Sequence, residues 1–115
     1  MSAVLSDRTE SAPGLPTATA AYWSLELALL EAHVRSEDAD ARRQALARAE
    51  AIIVRLGAEL DGRHGGELAR RLMALYGFMR EELRAMRGAA DGERMEELLE
   101  LAVTLRLAAE VGRTG

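Results

Sequence analysis

The chain contains no cysteine, no lysine and no asparagine, has only two prolines, and draws just 3% of its residues from the aromatics. Without cysteine there is neither a disulfide framework nor a thiolate metal site, which fits a reducing compartment. Without lysine all fifteen basic residues are arginine, a bias that reads as codon usage rich in G and C and not as chemistry. Those arginines are scattered among nineteen acidic residues, for a net charge of −4, so no concentrated basic surface exists for phosphates and nucleic acid is excluded as the main partner. No apolar run approaches the roughly eighteen residues of a membrane span, and the opening "MSAVLSDRTE" lacks the basic-then-apolar layout of a signal peptide. The expectation is a soluble cytoplasmic protein. With aromatics scarce and 49% of residues hydrophobic, the core must be built from Leu, Ala and Met with some Ile and Val. That mixture favours helices over sheet.

A length of 115 residues suits one domain with a real core. Both prolines fall within residues 1–16, which read as a flexible arm, leaving 17–111 as the folded domain. Four helical segments follow. The first is expected over Thr17 to Arg35, capped by Thr17 or Thr19 and ended by the acidic break "SEDAD". The second, over Asp40 to Asp61, carries Leu46, Ala49, Ile53, Leu56 and Leu60 at alternating spacings of three and four. The third, over Gly66 to Arg87, presents Leu68, Leu72, Leu75, Met79, Leu83 and Met86; the fourth follows "RGAADGE" with Met95, Leu98, Ala102, Leu105 and Ala109. Connections this short set successive helices side by side, so the predicted fold is all-α, an antiparallel up-down four-helix bundle.

The glycines of "LDGRHGGELARR" raise the question of a ligand-binding loop. A phosphate cradle needs a lysine and a hydroxyl after its glycines and a strand before them, and none of these is present. The His-Gly-Gly string also resembles an esterase oxyanion loop, but no G-x-S-x-G elbow accompanies it. A corner between helices explains the pattern better: Gly62 takes a left-handed position after Asp61, Gly65 and Gly66 reverse the chain, and Glu67 sits among the exposed amides of the next helix. The two histidines, His33 and His64, have no Glu at metal-site spacing, so no metal or other cofactor is expected. The serines and Thr104 lack a base partner, and the Glu pairs at 81–82 and 96–97 belong to solvated faces. No catalytic constellation results, and the chain reads as a non-enzyme.

What remains is more apolar surface than one core requires. On the first helix Trp23, Leu27, Leu30 and Val34 share one face, taken as the inward one, while Tyr22, Leu25 and Leu29 point elsewhere. Leu99, Leu101, Val103 and Leu107 on the fourth helix, and Ile52, Tyr76 and Phe78 on the middle two, add to the surplus. Such a surplus suits a groove for an amphipathic helix of another protein, against the alternative of a thick core with ordinary exposed leucines.

The stretch "ARAEAIIVRLGAELDGRHGGELARRLMALYGFMREELRAM" resembles the FliS family of flagellar secretion chaperones. The resemblance rests on Ala49, Ile52 and Ile53, then Leu56, Leu60 and Asp61, the Gly65, Gly66 and Glu67 corner, and the run Leu75, Tyr76, Gly77, Phe78 and Met79; Leu105 and Arg106 match a Leu-Arg pair of the last helix. The family's proline-containing start is replaced here by "TATA", and Gly77 stands where an acidic residue is usual. The resemblance implies a cytoplasmic export chaperone that holds the disordered C-terminal segment of flagellin and prevents premature polymerisation. On that reading the surplus faces supply the contacts: Leu25 and Leu29, Ile52 and Tyr76, with Arg48 and Arg55 as rim partners for carboxylates. The alternative is a self-associating bundle whose surplus faces meet across a two-fold axis as a homodimer.

Overall fold

A computed structural model describes residues 18–63 and 66–114. Residues 1–16, Thr17, His64 and Gly65, on which several sequence expectations fall, lie outside the described residues. Four helices follow in order: α1 Thr19–Val34, α2 Ala39–Arg63, α3 Glu67–Gly88 and α4 Gly92–Thr114. The fold is the all-α four-helix bundle that the periodicity predicts.

Two acidic residues start two of the helices. Asp38 accepts a hydrogen bond from the Ala41 amide (3.1 Å) and begins α2; Asp91 accepts one from the Arg94 amide (3.1 Å) and begins α4. Each satisfies an amide that a helix N-terminus otherwise leaves unpaired. Hydrogen bonds from the Arg94 amide and guanidinium hold the Asp91 carboxyl below its ordinary range. By contrast, α1 starts after Ala18 with no side-chain cap, so Thr19 is its first helical residue and not its cap.

The glycine corner includes Gly66, as the sequence predicts, but the expectation for Gly62 does not hold. Gly62 does not end α2, which runs on through it to Arg63. The left-handed residue is Gly66, with φ 94° and ψ −174°, the only positive-φ residue among those described. Among the described residues the special backbone is therefore needed at the entry to α3. Open space surrounds the missing Cβ of Gly66, so a side chain there meets strain and not a clash. Gly66→Ala is expected to lower stability by about 1–3 kcal/mol through backbone strain alone, read by urea unfolding. A neutral result would mean that the corner tolerates an ordinary residue.

The core stripes of α2 and α4 match the sequence reading in full: Leu46, Ala49, Ile53, Leu56 and Leu60, then Met95, Leu98, Ala102, Leu105 and Ala109 are all buried. On α3 the inward line is Ala69, Leu72, Tyr76, Met79, Leu83 and Met86; Leu68 is exposed and Leu75 half-buried, contrary to expectation. On α1 the predicted faces are reversed. Tyr22, Leu25, Ala28, Leu29 and Ala32 are buried, while Trp23, Leu27, Leu30 and Val34 are exposed.

Cross-helix pairs mark the antiparallel register. Glu31 on α1 meets Arg48 on α2, Glu50 on α2 meets Arg80, Arg84 and Arg87 on α3, Glu82 on α3 meets Arg94 on α4, and Glu26 on α1 meets Arg106 on α4. Helices α1 and α2 form the centre, with α3 packed on α2 and α4 on α1; of the neighbouring pairs, α3 and α4 touch least.

Candidate partner-binding surface

Three of the six side chains expected to meet a partner are part of the core. Leu25 and Leu29 are completely buried. Tyr76 is buried as well, its hydroxyl 2.6 Å from that of Tyr22. None of the three is available to a partner on the folded chain, which corrects their expected role as surface contacts. The remaining three lie on α2: Ile52 is half-buried against the core, and Arg48 and Arg55 are exposed. Arg48 is already paired with Glu31 at 2.6 Å, an ion pair about half exposed on both sides. Such a pair contributes no more than about 1 kcal/mol and exchanges partners readily.

The tyrosine pair joins α1 to α3 across the bundle. Burial pushes the Tyr22 phenol up, opposed by its hydrogen bond to Tyr76; burial and the Tyr22 bond push Tyr76 up further. A folded pKa above the unfolded value of about 10 means that the folded state holds these protons more tightly. The pair's contribution is therefore present below about pH 10 and is lost as pH rises beyond it. Tyr76→Phe is expected to cost about 1–2 kcal/mol by stranding the Tyr22 hydroxyl, and the double change to Phe at both positions is expected to cost less than the sum of the single changes. Urea unfolding on either side of pH 10 reads both effects. A steep alkaline loss that persists in the double variant would assign it to other groups.

Val54 on α2 and Leu68, Met73 and Phe78 on α3 are exposed, but the longest open apolar line is on the outer side of α1. Trp23, Leu27, Leu30 and Val34, at spacings of four, three and four, are 45%, 63%, 44% and 79% exposed. Spacing of this kind makes a continuous ridge along one side of a helix. Charged contacts flank it. On the α4 side the Arg106 guanidinium lies 3.8 Å from the centre of the Trp23 ring, while also bonding Glu26 and Glu110. On the α2 side stands the Glu31–Arg48 pair. On α4, Leu107 and Val111 are exposed and Leu99 and Val103 half-buried, so apolar surface continues beyond α1.

The ridge was missed because α1 carries two interleaved apolar stripes and the sequence reading took the wrong one as the core. A signal was nevertheless present. Ala28 and Ala32 share the side of Leu25 and Leu29, and small residues mark the line along which helices come close.

Among the described residues no group of His, Asp and Glu is placed to hold a metal ion, and no helix is long and apolar enough to cross a membrane. The model of the family described as "Flagellar protein FliS" matches residues 22–110, most of the chain. The chain belongs to the FliS family. Membership carries a flagellar chaperone role in general terms. No curated protein and no solved structure matches the chain. The residues that carry the FliS resemblance are largely framework. Ala49, Ile53, Leu56, Leu60, Tyr76, Met79 and Leu105 are core, and Gly66 is the corner. In this FliS chain the motif thus identifies the scaffold, while the exposed ridge on α1 lies outside the motif but within the matched residues 22–110.

Proposed function

We propose that this FliS-family chain is a cytoplasmic export chaperone that binds the disordered C-terminal segment of flagellin and prevents its premature polymerisation. The observation that carries the reading is the exposed apolar ridge Trp23, Leu27, Leu30 and Val34 on a chain of this family. A segment that cannot bury its own apolar face folds as a helix against such a ridge, and the burial offsets the cost of ordering it. Ile52 and the arginines Arg48 and Arg55 lie on α2, where the arginines suit acidic residues along the edge of a docked segment. Binding here is a matter of shape and burial and calls for no cofactor.

Titration calorimetry of the intact chain with a peptide of the flagellin C-terminal segment tests the reading. Saturable binding is expected, with the negative heat-capacity change that apolar burial produces. Absence of binding at tens of micromolar would count against it. The same ridge also suits a homodimer, since a regular apolar stripe can meet its own copy across a two-fold axis. Sedimentation separates the two: a tight dimer indifferent to the peptide supports self-association, and a monomer that takes up peptide supports the chaperone.

A further inference from the structure

Among the described residues four polar or charged ones are buried: Thr19, Glu26, Arg42 and Glu50. Both carboxylates have arginines on them, Arg106 for Glu26 and three arginines of α3 for Glu50. Arg42, near the start of α2, has no such partner. It is 8% exposed, and its Nη1 donates to the backbone carbonyl oxygen of Ser36 at 2.5 Å. Its Nε is buried without an acceptor, and no carboxylate among the described residues forms an ion pair with it. The nearby acids are used elsewhere or face water: Asp38 caps the Ala41 amide, Asp40 pairs with Arg43, and Glu37 is exposed. Burying a guanidinium without a counter-charge carries a desolvation penalty that one carbonyl does not offset.

Arg42 lines a cavity of about 120 Å³ at the end of the bundle, where the end of α1, the start of α2 and the α3–α4 turn meet. Leu46, Met86 and Met95 supply an aliphatic wall, and His33, Ser36 and Asp91 add polar groups. The Asp91 carboxylate is already bonded to the Arg94 amide and guanidinium. We propose that this cavity binds a carboxylate carried on a short aliphatic group, with Arg42 as its counter-ion. With Nη1 held by Ser36 and Nε enclosed, Nη2 has no acceptor and is the donor left for one oxygen of a carboxylate. The wall accepts an apolar tail, and the volume is that of several waters or one small organic acid. A dianion such as phosphate is disfavoured, because among the described residues Arg42 is the one arginine on the cavity wall and the Asp91 carboxylate stands there too. Two sources share the favoured chemistry: the terminal carboxylate of a polypeptide ending in an aliphatic residue, and a free short-chain acid.

The methyl resonances of Met86 and Met95 in the intact chain provide the test, followed during titration with 4-methylpentanoate and, separately, with its neutral amide. Saturating shifts are expected with the acid, and binding at least about tenfold weaker with the amide. Arg42→Met is expected to remove the acid's advantage; thermal melting checks that this variant folds, which an apolar replacement of a buried unpaired cation permits. If it does not fold, the comparison of acid and amide on the natural chain decides alone. No shift with the acid at tens of millimolar, or equal binding of acid and amide, overturns the proposal. Competition by a flagellin C-terminal peptide with a free terminus but not by its amidated form would assign the carboxylate to a chain end; no competition by either would assign it to a free acid. The site does not depend on the flagellin reading, and failure to bind the small acid leaves peptide binding at the α1 ridge untouched.

Discussion

Replacing Leu29 with alanine is expected to lower the unfolding free energy by about 3 kcal/mol, while the same change at its neighbour Leu30 lowers it by less than about 1 kcal/mol. Leu29 is completely buried, so its removal costs both the transfer free energy of the lost methyl groups and the cavity left behind in a close-packed interior. Leu30 is 44% exposed and leaves no enclosed hole. The comparison isolates the facing of α1, because the two residues are adjacent and chemically identical and their helix propensities cancel. Urea unfolding checks it through the shift in midpoint at unchanged slope. Equal losses at the two positions would mean that α1 does not have the facing described.

Leu27→Asp should weaken binding of the flagellin segment by about 2 kcal/mol or more, roughly thirty-fold, while moving stability by no more than about 0.5 kcal/mol. Leu27 is 63% exposed on the free chain, so a carboxylate there stays solvated until a partner covers it. On docking it must lose that water against an apolar segment with no counter-charge in prospect, and the penalty appears in the complex alone. Trp23 is a less clean probe because its ring is stacked under Arg106, which also holds Glu26 and Glu110. Arg48→Ala provides the contrast: its ion pair is half exposed, and its loss should change affinity only a few-fold, mostly at low salt. Calorimetry on the three proteins reads both effects. Undiminished binding by the Leu27 variant would move the docking face away from α1.

The same difference between helices explains which parts of the molecule could be read in advance. On α2 the stripe at 46, 49, 53, 56 and 60 alternates with Arg, Glu and Gln that mostly stay in water and leave it little competition. On α4, by contrast, the stripe at 95, 98, 102, 105 and 109 is the buried one although Leu99, Leu101, Val103 and Leu107 lie beside it. On α3 the leucines at 68 and 75 offered a line nearly parallel to the one used. Tyr76 takes the inward position because its hydroxyl finds that of Tyr22, a partner 54 residues away in sequence. The corner was legible in kind, since glycines and Glu67 together mark a reversal and a helix start, but which glycine takes the positive φ depends on how far α2 runs.

The sequence by itself determined that four helices form, that a bundle results, and which side of α2 and α4 is buried, because helix caps, breaks and polar spacing are local properties of the chain. Only the tertiary structure decided which of two equally apolar stripes on α1 went inside, and with it which leucines remain for a partner. The reason is physical: periodicity distinguishes an oily side from a wet one, and where both sides are oily the choice falls to the fit of Ala28 and Ala32 against neighbouring helices and to the distant partners that satisfy Tyr22 and Glu26.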